Sequence, residues 1–130
     1  MFKKLCLIGI CITGVMARAE CTSDIGTLIT GLDGTDYCLS KVSLNWWSAY
    51  SWCRAVGGTF ATVDAVCGPN WEFDNCRNLS TVTDFGDAIT ATPYKSHMTY
   101  HLRWMGYRGN YGIRTEHSRR DLVPAICLMP

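Results

Sequence analysis

The 130-residue sequence contains no apolar run long enough to cross a bilayer as a helix. It has no dense block of lysine and arginine, so it carries no nucleic-acid footprint. No Gly-x-Ser-x-Gly elbow and no phosphate-cradling glycine loop occur, which removes two common hydrolase and nucleotide-binding signatures. There is no internal repeat and no low-complexity tract. Cys67 and Cys76 lack the tight paired spacing of a structural zinc site.

What is present begins with Met1-Phe2-Lys3-Lys4, the apolar run Leu5 to Val15, and Ala17-Arg18-Ala19. A basic start, a short apolar stretch and an A-x-A site together read as a secretory signal peptide over residues 1–19. Cleavage is expected after Ala19, leaving one domain over residues 20–130. The alternative is a retained anchor. Glu20 stands where lipoprotein processing needs a small residue, which counts against a lipid on Cys21. Export implies a secreted, periplasmic or cell-surface location. From Glu20 to Tyr94 there are three basic and nine acidic residues, and from Lys95 to Pro130 six basic and two acidic. The exported part is therefore mildly acidic, with a basic C-terminal third.

Eight cysteines are present, and Cys6 and Cys11 leave with the signal segment. The six that remain, Cys21, Cys38, Cys53, Cys67, Cys76 and Cys127, form an even set in a small exported chain, which reads as a disulfide framework. Sequence alone allows fifteen pairings of such a set.

The chain is organised around the stretch from Trp46 to Asp64. Trp46, Ala49, Cys53 and Val56 recur at helical spacing and share one face. Ser43 or Asn45 can cap this helix, expected over roughly 45–56, and Gly57 or Gly58 can end it. A cysteine in the middle of the buried face points to a cross-link with a distant element. Ala49-x-x-x-Cys53-x-x-x-Gly57 followed by Phe60-Ala61-Thr62-Val63 resembles the first-helix signature of the C-type lectin-like domain. Asn45-Trp46-Trp47-Ser48-Ala49 with Trp52-Cys53 is similar to small bacterial secreted members of that fold. The resemblance covers residues 37–67 and, thinly, 88–128. It implies an α+β fold with one main helix, a short helix, a small mostly antiparallel sheet and a long irregular loop. It also implies a bridge from the helix to the last strand, Cys53 to Cys127. Cys67 and Cys76 lie close together around a loop and form the natural local pair, and Cys21 with Cys38 is then the remaining pair.

In chain order, residues 27–41 read as a hairpin about Asp33-Gly34. A two-residue turn there places Cys38 opposite Ile29, so a bridge to Cys21 requires the N-terminal tail to fold back. A short helix starts at Thr62 or Val63 and ends at Cys67-Gly68-Pro69, with Thr62 as cap and Asp64 suited to the positive end of its dipole. From Gly68 to Asp87 the periodicity is lost and turn residues dominate, with Trp71 and Phe73 expected to pin this loop to the body. Strands are expected over Ala88 to Thr92, Thr99 to Met105, Tyr111 to Thr115 and Ala125 to Met129. The segment Ile89-Thr90-Ala91-Thr92-Pro93-Tyr94 occupies the place of the "W-S-S-T" strand of bacterial lectin-like domains, without its tryptophan.

Calcium-dependent lectins hold their ion with Glu-Pro-Asn or Gln-Pro-Asp and Trp-Asn-Asp motifs. This chain offers only Gly68-Pro69-Asn70, too few oxygens for a hard cation. Glu72, Asp74, Asp84 and Asp87 read as solvated loop charges. His97 and His101 lie four residues apart on a strand-like segment, which separates their rings by about 13 Å and argues against a shared metal. His117 adds nothing by position. No metal and no cofactor are expected. Asn78-Leu79-Ser80 is a glycosylation sequon, meaningful only in a eukaryotic secretory pathway. The candidate ligand surface is the aromatic and arginine-rich segment Tyr100, Arg103, Trp104, Tyr107, Arg108, Tyr111 and Arg114, the residue types that dominate binding hot spots. Strand alternation divides these residues between core and surface. The leading expectation is a calcium-independent, non-enzymatic exported module that recognises a protein or carbohydrate (glycan) ligand. The alternatives are a structural, envelope-associated protein without a small ligand, and an enzyme on a related scaffold.

Overall fold

Tyr37, Cys38 and Leu39 are consecutive and all buried. Successive side chains on a strand point to opposite faces, so this strand must be covered on both sides. The computed structural model describes residues 20–106 and 108–130. The expected signal peptide over residues 1–19, with Cys6 and Cys11, lies outside the described residues, as do Tyr107 and the side chains of Phe73 and Asp74.

The elements in chain order are β1 (Gly26–Thr30), β2 (Asp36–Ser40), α1 (Trp46–Ala55), β3 (Thr59–Phe60), α2 (Val63–Cys67), a one-turn helix α3 (Trp71–Asp74), a 3-10 turn (Arg77–Leu79), β4 (Asp87–Tyr94), β5 (Met98–Met105), β6 (Asn110–Ser118) and β7 (Ile126–Leu128). They build an α+β fold with two antiparallel sheets, ordered β1-β2-β7-β3 and β4-β5-β6. One core cluster joins Ala49, Cys53 and Val56 to Cys38, Phe60, Ile89 and Cys127. The other joins Tyr37, Leu39 and Ile126 to Val63, Val66, Leu79, Leu102 and Tyr111. These two clusters are the two coverings that β2 requires.

The helix α1 starts where the sequence places it. Asn45 Oδ1 accepts a hydrogen bond from Ser48 N at 2.8 Å, satisfying a free donor of the first turn. Gly57, at φ 86°, takes the left-handed conformation just past the end. Cys53, fully buried on the inner face, is bridged to Cys127 of β7. Thr62 caps α2 by accepting from Ala65 N at 3.1 Å. The other bridges are Cys67–Cys76 and Cys21–Cys38, and no described cysteine is free.

Two expectations are corrected. Gly34, at φ 82°, sits in the first hairpin turn, but the connection covers residues 31–35, so Cys38 faces Leu28 rather than Ile29. The longer loop is anchored elsewhere: Leu32 N donates to the Asn78 carbonyl at 2.8 Å, and Asp33 N to Asn78 Oδ1 at 3.0 Å. The tail does fold back, through bonds of 3.0 Å from Ile25 N and Gly26 N to Thr22 O. A Cβ on Gly26 would stand 2.7 Å from Cys38 Sγ and 3.1 Å from Cys21 Sγ, so the bridge depends on glycine there.

The second correction concerns residues 68–87. This segment is not irregular throughout; it holds α3 and the 3-10 turn, each too short to show periodicity. Trp71 pins it, donating from Nε1 to Asp64 Oδ1 at 2.8 Å and meeting the Tyr100 ring at 5.2 Å. Asn78 is not a free sequon side chain. Its Nδ2 donates to Val66 O at 2.9 Å and to the Tyr37 hydroxyl at 3.2 Å. Among the described residues, no helix is long and apolar enough to cross a membrane.

Candidate functional site

The β5–β6 pairing sorts the arginine-rich segment by face. Trp104 lies opposite Tyr111, Arg103 opposite Gly112 and His101 opposite Arg114. Side chains alternate along each strand, so Tyr100, Trp104 and Tyr111 share the face that packs on the core, and His101, Arg103 and Arg114 share the other. Tyr100 meets the rings of Trp71 and Tyr94, and Trp104 meets Tyr111 at 5.1 Å. Tyr111 is 1% exposed and stacks on Phe85 at 4.3 Å. Its hydroxyl donates to Thr83 O at 2.7 Å and accepts from Phe85 N at 2.8 Å, and burial pushes the phenol up to about 12. Tyr111 is therefore a buried pin for the end of the long loop rather than an exposed stacking surface.

The arginines differ in their commitments. Arg103 pairs with Asp87 at 3.3 Å and Glu116 at 2.9 Å. Arg108 and Arg114 line a groove of about 120 Å³ between the hairpin and the long loop, together with Asn75, Met105, Asn110, Tyr111, Gly112 and Ile113. Arg114 Nε is buried and has no hydrogen-bond partner among the described residues. A buried unpaired donor is costly, and an oxygen anion is the partner that guanidinium geometry fits best. A second cavity of about 400 Å³ is lined by Trp47, Ser96, His97, Ser118, Arg119 and Arg120. There Arg119 is already engaged, donating to Lys95 O at 2.8 Å and Met98 O at 3.1 Å.

On the same face as Arg114, β4, β5 and β6 bring together Asp87, His101 and His117. His101 is fully buried, and neither ring nitrogen has a hydrogen-bond partner among the described residues. The His117 ring lies 4.2 Å from it, centroid to centroid. His117 Nε2 is 3.3 Å from Asp87 Oδ2, and its Nδ1 is 3.2 Å from Asp121 Oδ2. Burial and then the neighbouring His117 push the His101 imidazole down to about 4, so it is neutral at neutral pH. Burial opposes ionisation of Asp87, but hydrogen bonds from Arg103 and His117 outweigh it and keep the carboxyl below its ordinary range.

The position of His117 overturns the expectation that it contributes nothing. Between Thr99↔His117 and His101↔Arg114, β6 advances three residues while β5 advances two. An extra residue of this kind re-aims the side chains beyond it. A regular hairpin register gives no hint of it, and Asp87 lies 30 residues from His117 in sequence. His97 does not join His101; it lies in the turn before β5, where its carbonyl accepts from Arg119 N. Asp84 accepts from Gly86 N at 2.8 Å and Asp87 takes part in the histidine cluster, so these two acids of the long loop serve separate ends. Comparison with protein-family models, curated proteins and solved structures gives no match to this chain.

Proposed function

We propose that this chain is an exported, non-enzymatic binding module of C-type lectin-like architecture that takes an anionic group of a protein or glycan without calcium. The observation that carries the reading is the groove between the long loop and the β5–β6 hairpin. Arg114 stands in its lining, and its Nε is buried without a hydrogen-bond partner among the described residues. A charged ligand oxygen supplies the missing acceptor, and hydrogen bonds of that kind are the strong ones. The lectin-like reading is supported by the α1 motif and by the Cys53–Cys127 staple to the last strand. Export is supported by the signal-like residues 1–19 and the three bridges, the pattern of an oxidising compartment. Independence from calcium rests on the missing Glu-Pro-Asn and Trp-Asn-Asp motifs.

The test is an array of sulfated, carboxylated and neutral glycans and acidic peptides, probed with folded oxidised protein in chelator and again in calcium. Retention of anionic ligands is expected in both conditions. Arg114→Gln should weaken it by about tenfold or more, the scale of one charge-assisted hydrogen bond. Binding that requires calcium, or that ignores Arg114→Gln, overturns the reading. An array with no bound ligand favours a structural, envelope-associated role.

A further inference from the structure

We propose that Asp87, His101 and His117 form a binding site for a divalent transition-metal ion of the zinc type, held across β4, β5 and β6. Each residue offers one ligand atom, and the three atoms lie within 4.8 Å of one another. Two imidazole nitrogens and one carboxylate oxygen suit zinc and its neighbours, not calcium, which needs six or more oxygens. The spacing fits the ion. A tetrahedral centre with ligand bonds near 2.0–2.1 Å has ligand-to-ligand edges of about 3.3 Å. His117 Nε2 and Asp87 Oδ2 already stand 3.3 Å apart. The remaining edges are no longer than 4.8 Å.

An ion pair between Asp87 and His117 accounts for those two groups without a metal. It does not account for His101. That ring is fully buried, faces His117 and leaves both nitrogens without a hydrogen-bond partner among the described residues. A buried polar group with no partner is expensive, and a metal ion at the centre of the cluster supplies one. The surroundings have the form of a supporting shell. His117 Nδ1 faces Asp121 Oδ2, so with Nδ1 protonated toward that carboxylate, Nε2 is the nitrogen that can give up its proton and take the ion. Asp121 is itself fixed by a bond of 2.9 Å from Ser118 N. Arg103 holds both Asp87 oxygens at 3.3 Å, and its charge is offset by Glu116 at 2.9 Å. Glu116 Oε1 is 3.8 Å from His101 Nε2 and more than half exposed, placing it next to the fourth position. The side chains of His117 and Asp87 are 23% and 28% exposed, which leaves a path for the ion. The six described cysteines are all bridged and do not compete.

The experiment titrates zinc chloride, and separately calcium chloride, into the chelator-stripped, oxidised chain by calorimetry, with thermal melts alongside. Cobalt(II) serves as an absorbing substitute for zinc. Saturable binding of one zinc ion per chain is expected, with a raised melting temperature and no response to calcium. His117→Gln and Asp87→Asn keep the buried His101 in place. Each should weaken zinc at least tenfold and abolish the cobalt band, while far-ultraviolet circular dichroism shows that the chain remains folded. Asp121→Asn should weaken zinc by about 10–100-fold, as expected for a group that orients a ligand. His97→Gln should bind as the parent chain does. The proposal is overturned if zinc gives no saturable binding, if His117→Gln and Asp87→Asn both bind at full strength, or if His97→Gln removes the site.

Discussion

Replacing Cys53 and Cys127 together by alanine should cost the fold more than replacing Cys67 and Cys76 together. The first bridge closes a separation of 74 residues and the second a separation of 9. In the chain-entropy account these loops restrict the unfolded state by about 4–5 and about 2–3 kcal/mol respectively. The smaller loop lies inside the larger and shortens it little, and the dependence is logarithmic, so the two values hold together. Packing leaves the order to loop length, because both bridges are buried: Cys53, Cys127 and Cys76 are 0% exposed and Cys67 8%, so either alanine pair leaves a void in the core. A domain of this size has a total stability of about 5–15 kcal/mol, so the first variant should sit near the edge of folding and the second should remain folded. Urea melts of the two double variants give the order, with the slope of each transition checked because a freed loop expands the unfolded state. Pairwise replacement leaves no lone thiol to mispair. Equal costs, or a larger cost for Cys67 and Cys76, refute the view of Cys53–Cys127 as the main staple.

Asn78→Ala should destabilise the chain by about 2–4 kcal/mol in thermal melts, because bonds to Asp33 N, Val66 O and Tyr37 Oη are lost together. Gly31→Ala should also destabilise, since its Cβ would lie 2.4 Å from Asn78 Nδ2, but its cost should shrink in the Asn78→Ala background. Tyr111→Phe should cost about 1–3 kcal/mol at neutral pH by orphaning Thr83 O and Phe85 N–H. The folded phenol is raised to about 12 from 10.0, so its contribution is complete below pH 10 and is lost as pH rises toward 12. Urea midpoints of the parent chain and Tyr111→Phe should therefore converge across that window; a constant difference contradicts the assignment.

The sequence was most legible where local chemistry and tertiary structure agree. Asn45 and Gly57 bound α1, Thr62 caps α2, and the strand positions follow from alternation and turn residues. The bridge Cys67–Cys76 joins the pair that sequence proximity singles out, whereas Cys53–Cys127 follows from the resemblance to the lectin-like pattern and not from spacing. What escaped depends on contacts between distant segments. The first hairpin lengthens because Asn78 reaches its loop from more than forty residues away. The groove needs Asn75 beside Arg108 and Arg114, and the aromatics of the same segment turn inward. The Asp87–His101–His117 cluster depends on one extra residue in β6, which no periodicity announces.

The most direct test of the binding reading is a chemical-shift titration of the isotope-labelled, oxidised chain with a sulfated oligosaccharide in the presence of chelator. The Nε–Hε signal of Arg114 and the amides of Asn75, Asn110 and Gly112 should move together and saturate, because these residues line one groove. Signals near Trp47 and Arg120, which line the separate larger cavity, should stay in place. Shifts confined to that cavity, or a spectrum that never saturates, contradict the account.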